Sequence, residues 1–364
     1  MKKLRFIALA IVLVTLMAAG INGCVSAPVY QGPPSDHFDG SVFRNSVPSE
    51  KGVWDILRLG FYSLWQREAW PAWIEEPQQQ IPVERFSGQG ISVTFINHST
   101  LLLQVDGVNI LTDPVFSERV SPFRFAGPKR VRLSGVALKD LPPIDVILIS
   151  HNHYDHLDTE SLQKIVARQP SDQQPLILAG LGNSGLFELL GLPGFVDMDW
   201  QGALDYKGIQ IIFTEARHRS GRGITDQMKT LWGSFLIRTK QGDIYFAGDT
   251  GYGPHFDDLR RQYGDVELAL LPIGAYRPLW FMQAVHLTPA QAVEAHLAIG
   301  SQQSIGMHFG TFQLTHEGID EPEAELAEAL AAQGVPSDRF ITLGFGETRQ
   351  FIPAKRELSL QRQD

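Results

Sequence analysis

One cysteine stands in 364 residues, so no disulfide can form within the chain and the fold must be stable without one. No block of Lys or Arg stands out anywhere, and the formal net charge is −9. A protein that neutralises nucleic-acid phosphates needs the opposite balance, which excludes nucleic acid as a partner. The apolar run from Phe6 to Ala19 is short for a membrane span, and no internal repeat is evident. Hydrophobic residues nonetheless make up 43% of the chain. That is ample for a core, in one large domain or two smaller ones. No feature points to a particular oligomeric state.

The early apolar run has a context. Lys2, Lys3 and Arg5 precede it, and Gly20-Ile21-Asn22-Gly23-Cys24 follows. A basic start, a short apolar stretch and small residues before a cleavage point make a secretory signal; an uncleaved anchor is the alternative. Ile21-Asn22-Gly23-Cys24 resembles the bacterial lipobox, whose cysteine is diacylated and becomes the mature N-terminus. Val25 follows it, not Asp, which by resemblance to enterobacterial sorting implies the outer membrane, facing the periplasm. Residues 1–23 are therefore expected to be a lipoprotein signal peptide, Cys24 a lipidation site and the membrane a partner. An N-terminal extension over 24–80 begins with a tether, Val25 to Asp36, which carries two adjacent prolines. Val53 to Trp65 is unusually apolar and aromatic. It either lies on the membrane or packs against the rest of the protein.

From Ile81 the pattern is strand after strand, and 81–355 is expected to be the catalytic domain, with 356–364 a tail. Ile91 to Ile96, Thr100 to Val105 and Val108 to Thr112 alternate or run apolar, and Asp106-Gly107 joins two of them as a hairpin. Ile144 to Ser150 reads as a buried strand. Further strands are expected at Leu176 to Ala179, Gly208 to Thr214, Trp232 to Arg238, Asp243 to Ala247 and Leu268 to Leu271. Helices are expected at Thr159 to Ala167, from Thr288-Pro289 through Leu297, and at Glu321 to Gln333. Strands mixed with helices suggest two sheets with helices outside.

Directly after the buried strand comes His151-Asn152-His153-Tyr154-Asp155-His156, with three imidazoles and a carboxylate in six residues. The C-terminal edge of a sheet is where α/β proteins place their chemistry, and these donors are the ones zinc and similar metals accept. Four donors so close together strain to reach one tetrahedral ion, whereas two neighbouring ions fit the spacing. A His-rich surface turn is the bland alternative. His218 and His308 lie just beyond likely strand ends, where further ligands would converge. Asp249, in Gly248-Asp249-Thr250-Gly251, stands at another strand end, and a carboxylate there can bridge two cations roughly 3.5–4 Å apart.

With these positions in view, the chain resembles the metallo-β-lactamase fold superfamily. Its His-x-His-x-Asp-His is matched by His151, His153, Asp155 and His156, and its later ligands by His218, Asp249 and His308. The resemblance implies an α/β fold, a four-layer αββα sandwich. It implies that His151, His153 and His218 hold one metal, that Asp155, His156 and His308 hold another, and that Asp249 bridges them. Two zinc ions are the expected metals, with iron or manganese as alternatives. Phe246 to Tyr252, Leu271 to Met282 and Met307 to Phe312 further resemble the N-acylphosphatidylethanolamine-hydrolysing phospholipase D family. So do Leu231-Trp232-Gly233-Ser234 and His37-Phe38-Asp39-Gly40, as in its bacterial relatives. Departures stand at Asn97-His98-Ser99-Thr100, where the family more often has Gly-His-Ala-Thr, and at His286-Leu287-Thr288-Pro289. The family match implies a zinc-dependent phospholipase D that attacks phosphorus in a membrane phospholipid and leaves phosphatidate and an N-acylethanolamine. The catalytic pair would be Asp249, orienting the water, and His286, touching the phosphate or leaving group. His98 and Asp113 read as residues that orient ligands. His37, His255, His296 and His316 read as structural or exposed. The competing reading is another hydrolase of this fold in the cell envelope, a lactonase or soluble phosphodiesterase. No Ser-His-Asp set competes.

Overall fold

The structure, a computed structural model, describes residues 26–48, 52–63, 68–75 and 81–353. The signal segment 1–23, Cys24 and the tail 356–364 lie outside them. Two seven-stranded sheets pack face to face. The first contains β1 (Ile91–Asn97), β2 (Thr100–Val105), β3 (Val108–Thr112), β4 (Val146–Ile149), β5 (Leu176–Gly180) and β6 (Phe195–Met198). The second contains β7 (Ala203–Tyr206), β8 (Ile209–Thr214), β9 (Ser234–Thr239), β10 (Gly242–Phe246), β11 (Leu268–Pro272), β12 (Gln303–Met307) and β13 (Phe340–Ile341). A last strand, β14 (Thr348–Phe351), returns to the first sheet beside β1. Each sheet is antiparallel on one side and parallel on the other, with the parallel runs β3 to β6 and β10 to β13.

The reason for a continuous apolar run at β4 is visible in its neighbours. Val146 and Leu148 point into the core between the sheets, while Ile147 and Ile149 point outward into a second apolar cluster. That cluster is closed by Leu162 and Ile165 of α2 (Thr159–Arg168) and Leu186 and Phe187 of α3 (Ser184–Leu189). A central parallel strand covered on both faces has no polar side to show. Over the second sheet lie α4 (His255–Tyr263), α6 (Pro289–Ala298) and α7 (Glu321–Gln333), which bury Phe256, Ala292, Val293, Leu326 and Leu330 in the main core. Four layers result, in the order expected. Local chemistry sets the helix starts. Asp158 caps α2 by accepting from Glu160 N, and Thr288 forms a reciprocal capping box with Gln291 ahead of Pro289.

The N-terminal extension departs from the expected free tether. From Ser26 onward it is laid along the 218–232 loop: Ala27 N donates to Asp226 Oδ2 at 2.7 Å, Tyr30 N to Lys229 O at 3.0 Å and Phe43 N to Met228 O at 2.7 Å. Asn45 then closes two bonds with the backbone of His218, at 2.8 and 3.0 Å. Tyr30, Phe38 and Phe43 supply the physical reason, since they form an aromatic cluster with centroids 4.6–5.3 Å apart that the domain covers. The apolar stretch at 53–65 folds over its described part as α1 (Val53–Tyr62) and divides its loyalties. Arg58 lies 4.1 Å over the Trp280 ring and Tyr62 sits edge-on to His316, while Trp54, Leu57 and Phe61 are exposed. Trp280 belongs to the single-turn α5 (Leu279–Met282). Among the described residues, no helix is long and apolar enough to cross a membrane.

Candidate metal centre

Loops from both sheets meet at one edge of the sandwich. The His151–His156 loop leaves the C-terminal end of β4, in the first sheet. His218 follows β8, Asp249 follows β10 and His308 follows β12, all in the second. The strand ends predicted to converge do so, and all seven residues expected as ligands come together. His151 Nε2 lies 2.7 Å from His153 Nδ1, which lies 3.4 Å from His218 Nε2. On the other side, Asp155 Oδ2 lies 3.4 Å from His156 Nε2 and 3.5 Å from His308 Nε2. Between the groups, Asp249 Oδ2 is 3.2 Å from His156 Nε2 and 3.7 Å from His218 Nε2, and its Oδ1 is 3.2 Å from His308 Nε2.

Do these residues fit a metal? His156 Nε2, His308 Nε2 and Asp249 Oδ1 are buried without a hydrogen-bond partner among the described residues, though each has a polar neighbour near 3.2 Å. Such atoms face one another without bonding. Ligand atoms around a tetrahedral zinc, with Zn–N near 2.0–2.1 Å, stand about 3.3 Å apart. The donor chemistry and the spacing both fit. On three of the histidines the opposite ring nitrogen is occupied: His156 Nδ1 pairs with Asp113 Oδ2 at 2.6 Å, His218 Nδ1 with Val285 O at 2.8 Å and His151 Nδ1 with Ser150 Oγ at 3.0 Å. These partners fix the tautomers and aim each Nε2 inward.

Electrostatics divides the histidines. Burial, and the crowding of His151 with His156, His153 and His218, hold the pKa of His151 well below the usual value; burial and His218 do the same for His153. Burial opposes charging His308, but Asp249 and Asp155 outweigh it and raise it to about 9. His156 is likewise pushed well above the ordinary range by Asp249, Asp155 and Asp113 against burial. Burial would raise Asp155 and Asp249, yet their histidine neighbours keep both carboxyls well below the carboxylate range. This is a site that holds cationic charge between two ionised carboxylates, as protons or as metal.

Of the residues expected around the ligands, Asp113 accepts from His156 and from the Ser150 N and Oγ. His98 comes closer than an orienting role requires: its Nε2 is 3.1 Å from Asp155 Oδ2, and it joins Asp155, His156 and His308 with donor atoms all within 4.8 Å. His286 places Nδ1 3.8 Å from Asp249 Oδ2, in a group with His218. Left-handed backbone at His98 (φ 47°), Asp113 (φ 32°) and His308 (φ 62°) costs about 1–3 kcal/mol per residue. His308 N→His98 O and Asp113 N→Leu148 O, both 2.8 Å, help hold it in place. Gly248 takes a φ of 58°, which glycine allows, whereas Gly274 answers a need for space, because a Cβ there would stand 2.1 Å from His308 O. His255, His296, His316 and His37 bond to Thr250, Ser304, Ser63 and the pair Asp36/Asp199, outside the ligand set.

One contributor escaped the sequence reading. Arg222 Nη1 donates to Asn152 O at 3.0 Å and Leu157 O at 2.8 Å, bracketing the ligand loop, and its guanidinium lies 3.9 Å over the Tyr154 ring. Its acceptors are backbone carbonyls, which leave no mark in side-chain pattern.

An αββα sandwich with His and Asp ligands gathered at one edge from both sheets defines the metallo-β-lactamase-fold class of metal-dependent hydrolases. The family model described as "Beta-lactamase superfamily domain" matches residues 108–309. The chain is 34% identical to "N-acyl-phosphatidylethanolamine-hydrolyzing phospholipase D 1" of Caenorhabditis elegans, over 74% of this chain and 79% of the worm protein. It is also 34% identical to the mitochondrial protein of that name in Saccharomyces cerevisiae, over 71% of this chain and 55% of the yeast one. A solved metallo hydrolase from the archaeon Ignicoccus hospitalis shares the fold at a TM-score of 0.55 and 21% identity, covering 72% of this chain and 99% of its own. The chain belongs to the beta-lactamase superfamily, in the group that includes the worm and yeast proteins.

Proposed function

We propose that the protein is a phospholipase D that hydrolyses N-acylphosphatidylethanolamine-type membrane lipids at a two-cation centre, releasing phosphatidate and N-acylethanolamine. The observation that carries this reading is the pair of donor groups meeting at one buried carboxylate, Asp249, in a chain similar to proteins named for that reaction. His151, His153 and His218 would hold one cation, Asp155, His156 and His308 the other, with Asp249 between them. Zinc suits the donors; iron and manganese accept them too. Bound there, two divalent cations would supply Lewis acidity toward phosphoryl oxygens and acidify a water.

The chain's own residues do the rest. Asp249, held ionised, can accept a hydrogen bond from the attacking water and orient it in line with phosphorus. His286 is neutral through burial, and its Nδ1 is buried without a partner among the described residues, so it can meet the phosphate or the leaving oxygen. Exposed Trp54, Leu57 and Phe61 of α1, joined through Arg58 and Tyr62 to Trp280, offer an apolar surface toward a bilayer on the chain segment that leads to His286. Acylated Cys24 would confine the enzyme to the cell envelope, at the outer membrane. Cys24→Ala should abolish labelling by radioactive palmitate; equal labelling of both proteins removes the anchor.

The test is product analysis with vesicles containing N-acylphosphatidylethanolamine. Phosphatidate and N-acylethanolamine are expected in equal amounts. Asp249→Asn should cut turnover by orders of magnitude, each tenfold being about 1.4 kcal/mol of barrier. His286→Ala should retain its metal while losing activity. Cleavage of a lactone or a soluble phosphodiester, with none of the lipid, would hand the site to the other hydrolase reading.

A further inference from the structure

Beside His218 stands an arginine whose side chain forms no hydrogen bond or ion pair with any described residue. Its neighbours in the same loop are committed: Arg217 Nη1 donates to Tyr252 O at 2.9 Å, and Arg222 to Asn152 O and Leu157 O. Arg219 donates no hydrogen bond and forms no ion pair with any described residue, and its Nε is buried without a partner. A guanidinium carries five N–H donors and stays protonated in proteins. Arg219 is part-buried, and its enclosed Nε has lost water without gaining a partner, which costs free energy.

Flexibility does not explain it. The backbone around Arg219 is fixed on both sides, by Asn45 at His218, by Ser220 Oγ→Thr230 O at 2.6 Å and by Gly221 N→Asn152 Oδ1 at 2.7 Å. The charge is also felt in one place. Arg219 directly follows His218, whose ring groups with His153 on one side and His286 on the other, which puts it on that flank, and its charge helps lower the pKa of all three histidines. Burial alone bears on Arg219 itself, with no carboxylate set against it.

We infer that Arg219 is an anion receptor: it binds a non-bridging oxygen of a phosphate or phosphodiester that lies on the His153–His218–His286 flank. An arginine–phosphate contact is charge-assisted and matches the fork geometry of the guanidinium. The inference deepens the proposed phosphodiesterase reading and rests on it for the identity of the substrate. It also states a selectivity. An unpaired cation beside the phosphate repels an ammonium in the same headgroup, and N-acylation removes that ammonium from phosphatidylethanolamine. A neutral lactone would leave Arg219 without its partner.

The experiment is calorimetric titration of inorganic phosphate into the metal-loaded wild type, Arg219→Ala and Arg219→Lys, with metal content measured on each sample. Wild type should bind phosphate. The Ala variant should bind roughly tenfold to a hundredfold more weakly, as expected for one lost charge-assisted bond, and the Lys variant should lie between, all with the same metal content. Equal phosphate affinity in wild type and the Ala variant overturns the inference. So does a wild type that binds no phosphate, or an Ala variant that has lost its metal, since Arg219 would then act on the centre and not on a ligand. Arg219-dependent phosphate binding in a protein that fails to cleave N-acylphosphatidylethanolamine would end the lipid reading and leave the receptor standing.

Discussion

Buried Asp113 accepts three hydrogen bonds, one from His156 and two from Ser150, whose hydroxyl also reaches His151. A single carboxylate thus sets the ring orientation of ligands on both sides of the centre. Asp113→Asn preserves the shape but turns an amide NH2 toward a donor. Metal affinity should fall about 10- to 100-fold, the usual effect of losing such a partner. Competition with a chelator of known affinity measures it, and an unchanged constant would show that Asp113 does not orient His156. The candidate ligands were legible because they crowd into one short loop and then stand at strand ends. Asp113 was legible too, from Thr112-Asp113-Pro114 at the end of β3. Arg222 and Arg219 were not, because what distinguishes them is the acceptor each has or lacks in three dimensions.

At the scale of an element, β4 carries the ligand loop and shows what fixes it. Ile147 is fully buried in the outer cluster, so Ile147→Ala should cost about 2–5 kcal/mol in a urea titration; a loss below 1 kcal/mol would mean that the outer helices do not hold the strand. The strand starts two residues later than the apolar pattern suggested. Asp145 is the reason, since its carboxylate takes Asn109 N at 2.8 Å, Lys207 Nζ at 2.8 Å and Arg85. Burial would raise its pKa, but those partners lower it. A depressed folded value means stability that is present above the unfolded pKa of about 3.9 and lost as pH falls through the folded one. Asp145→Asn in metal-free protein should therefore cost most near neutral pH, and the gap to wild type should close below about pH 4. A gap that widens there reverses the sign and refutes the argument. β4 was readable because both its faces are covered. The pattern missed β6 and β7, short strands with half-exposed side chains that give neither a long apolar run nor a clean alternation.

In the whole molecule, the candidate ligands come from loops of two different sheets, and that would make a bound metal a fastener of the sandwich. Chelation should lower the thermal midpoint; for one site with free metal a hundredfold above its Kd, the loss is about 2.7 kcal/mol. A midpoint indifferent to chelator and to added zinc would show that the loops are held without ions. The four layers followed from strands alternating with helices. The path of the first residues did not, because the prolines that suggested a free leash say nothing of the Tyr30–Phe43 cluster that ties it down. That tie has a kinetic consequence once Cys24 is acylated as proposed. Val25 alone separates Cys24 from Ser26, a reach of about 7 Å when extended, and the Ser26 hydroxyl meets Thr225 at 3.1 Å on the Arg222 loop. A leash that short cannot let the enzyme tumble above the bilayer. It would keep the enzyme at the surface, so turnover would follow the mole fraction of substrate in the surface, and diluting the vesicles in bulk would change nothing.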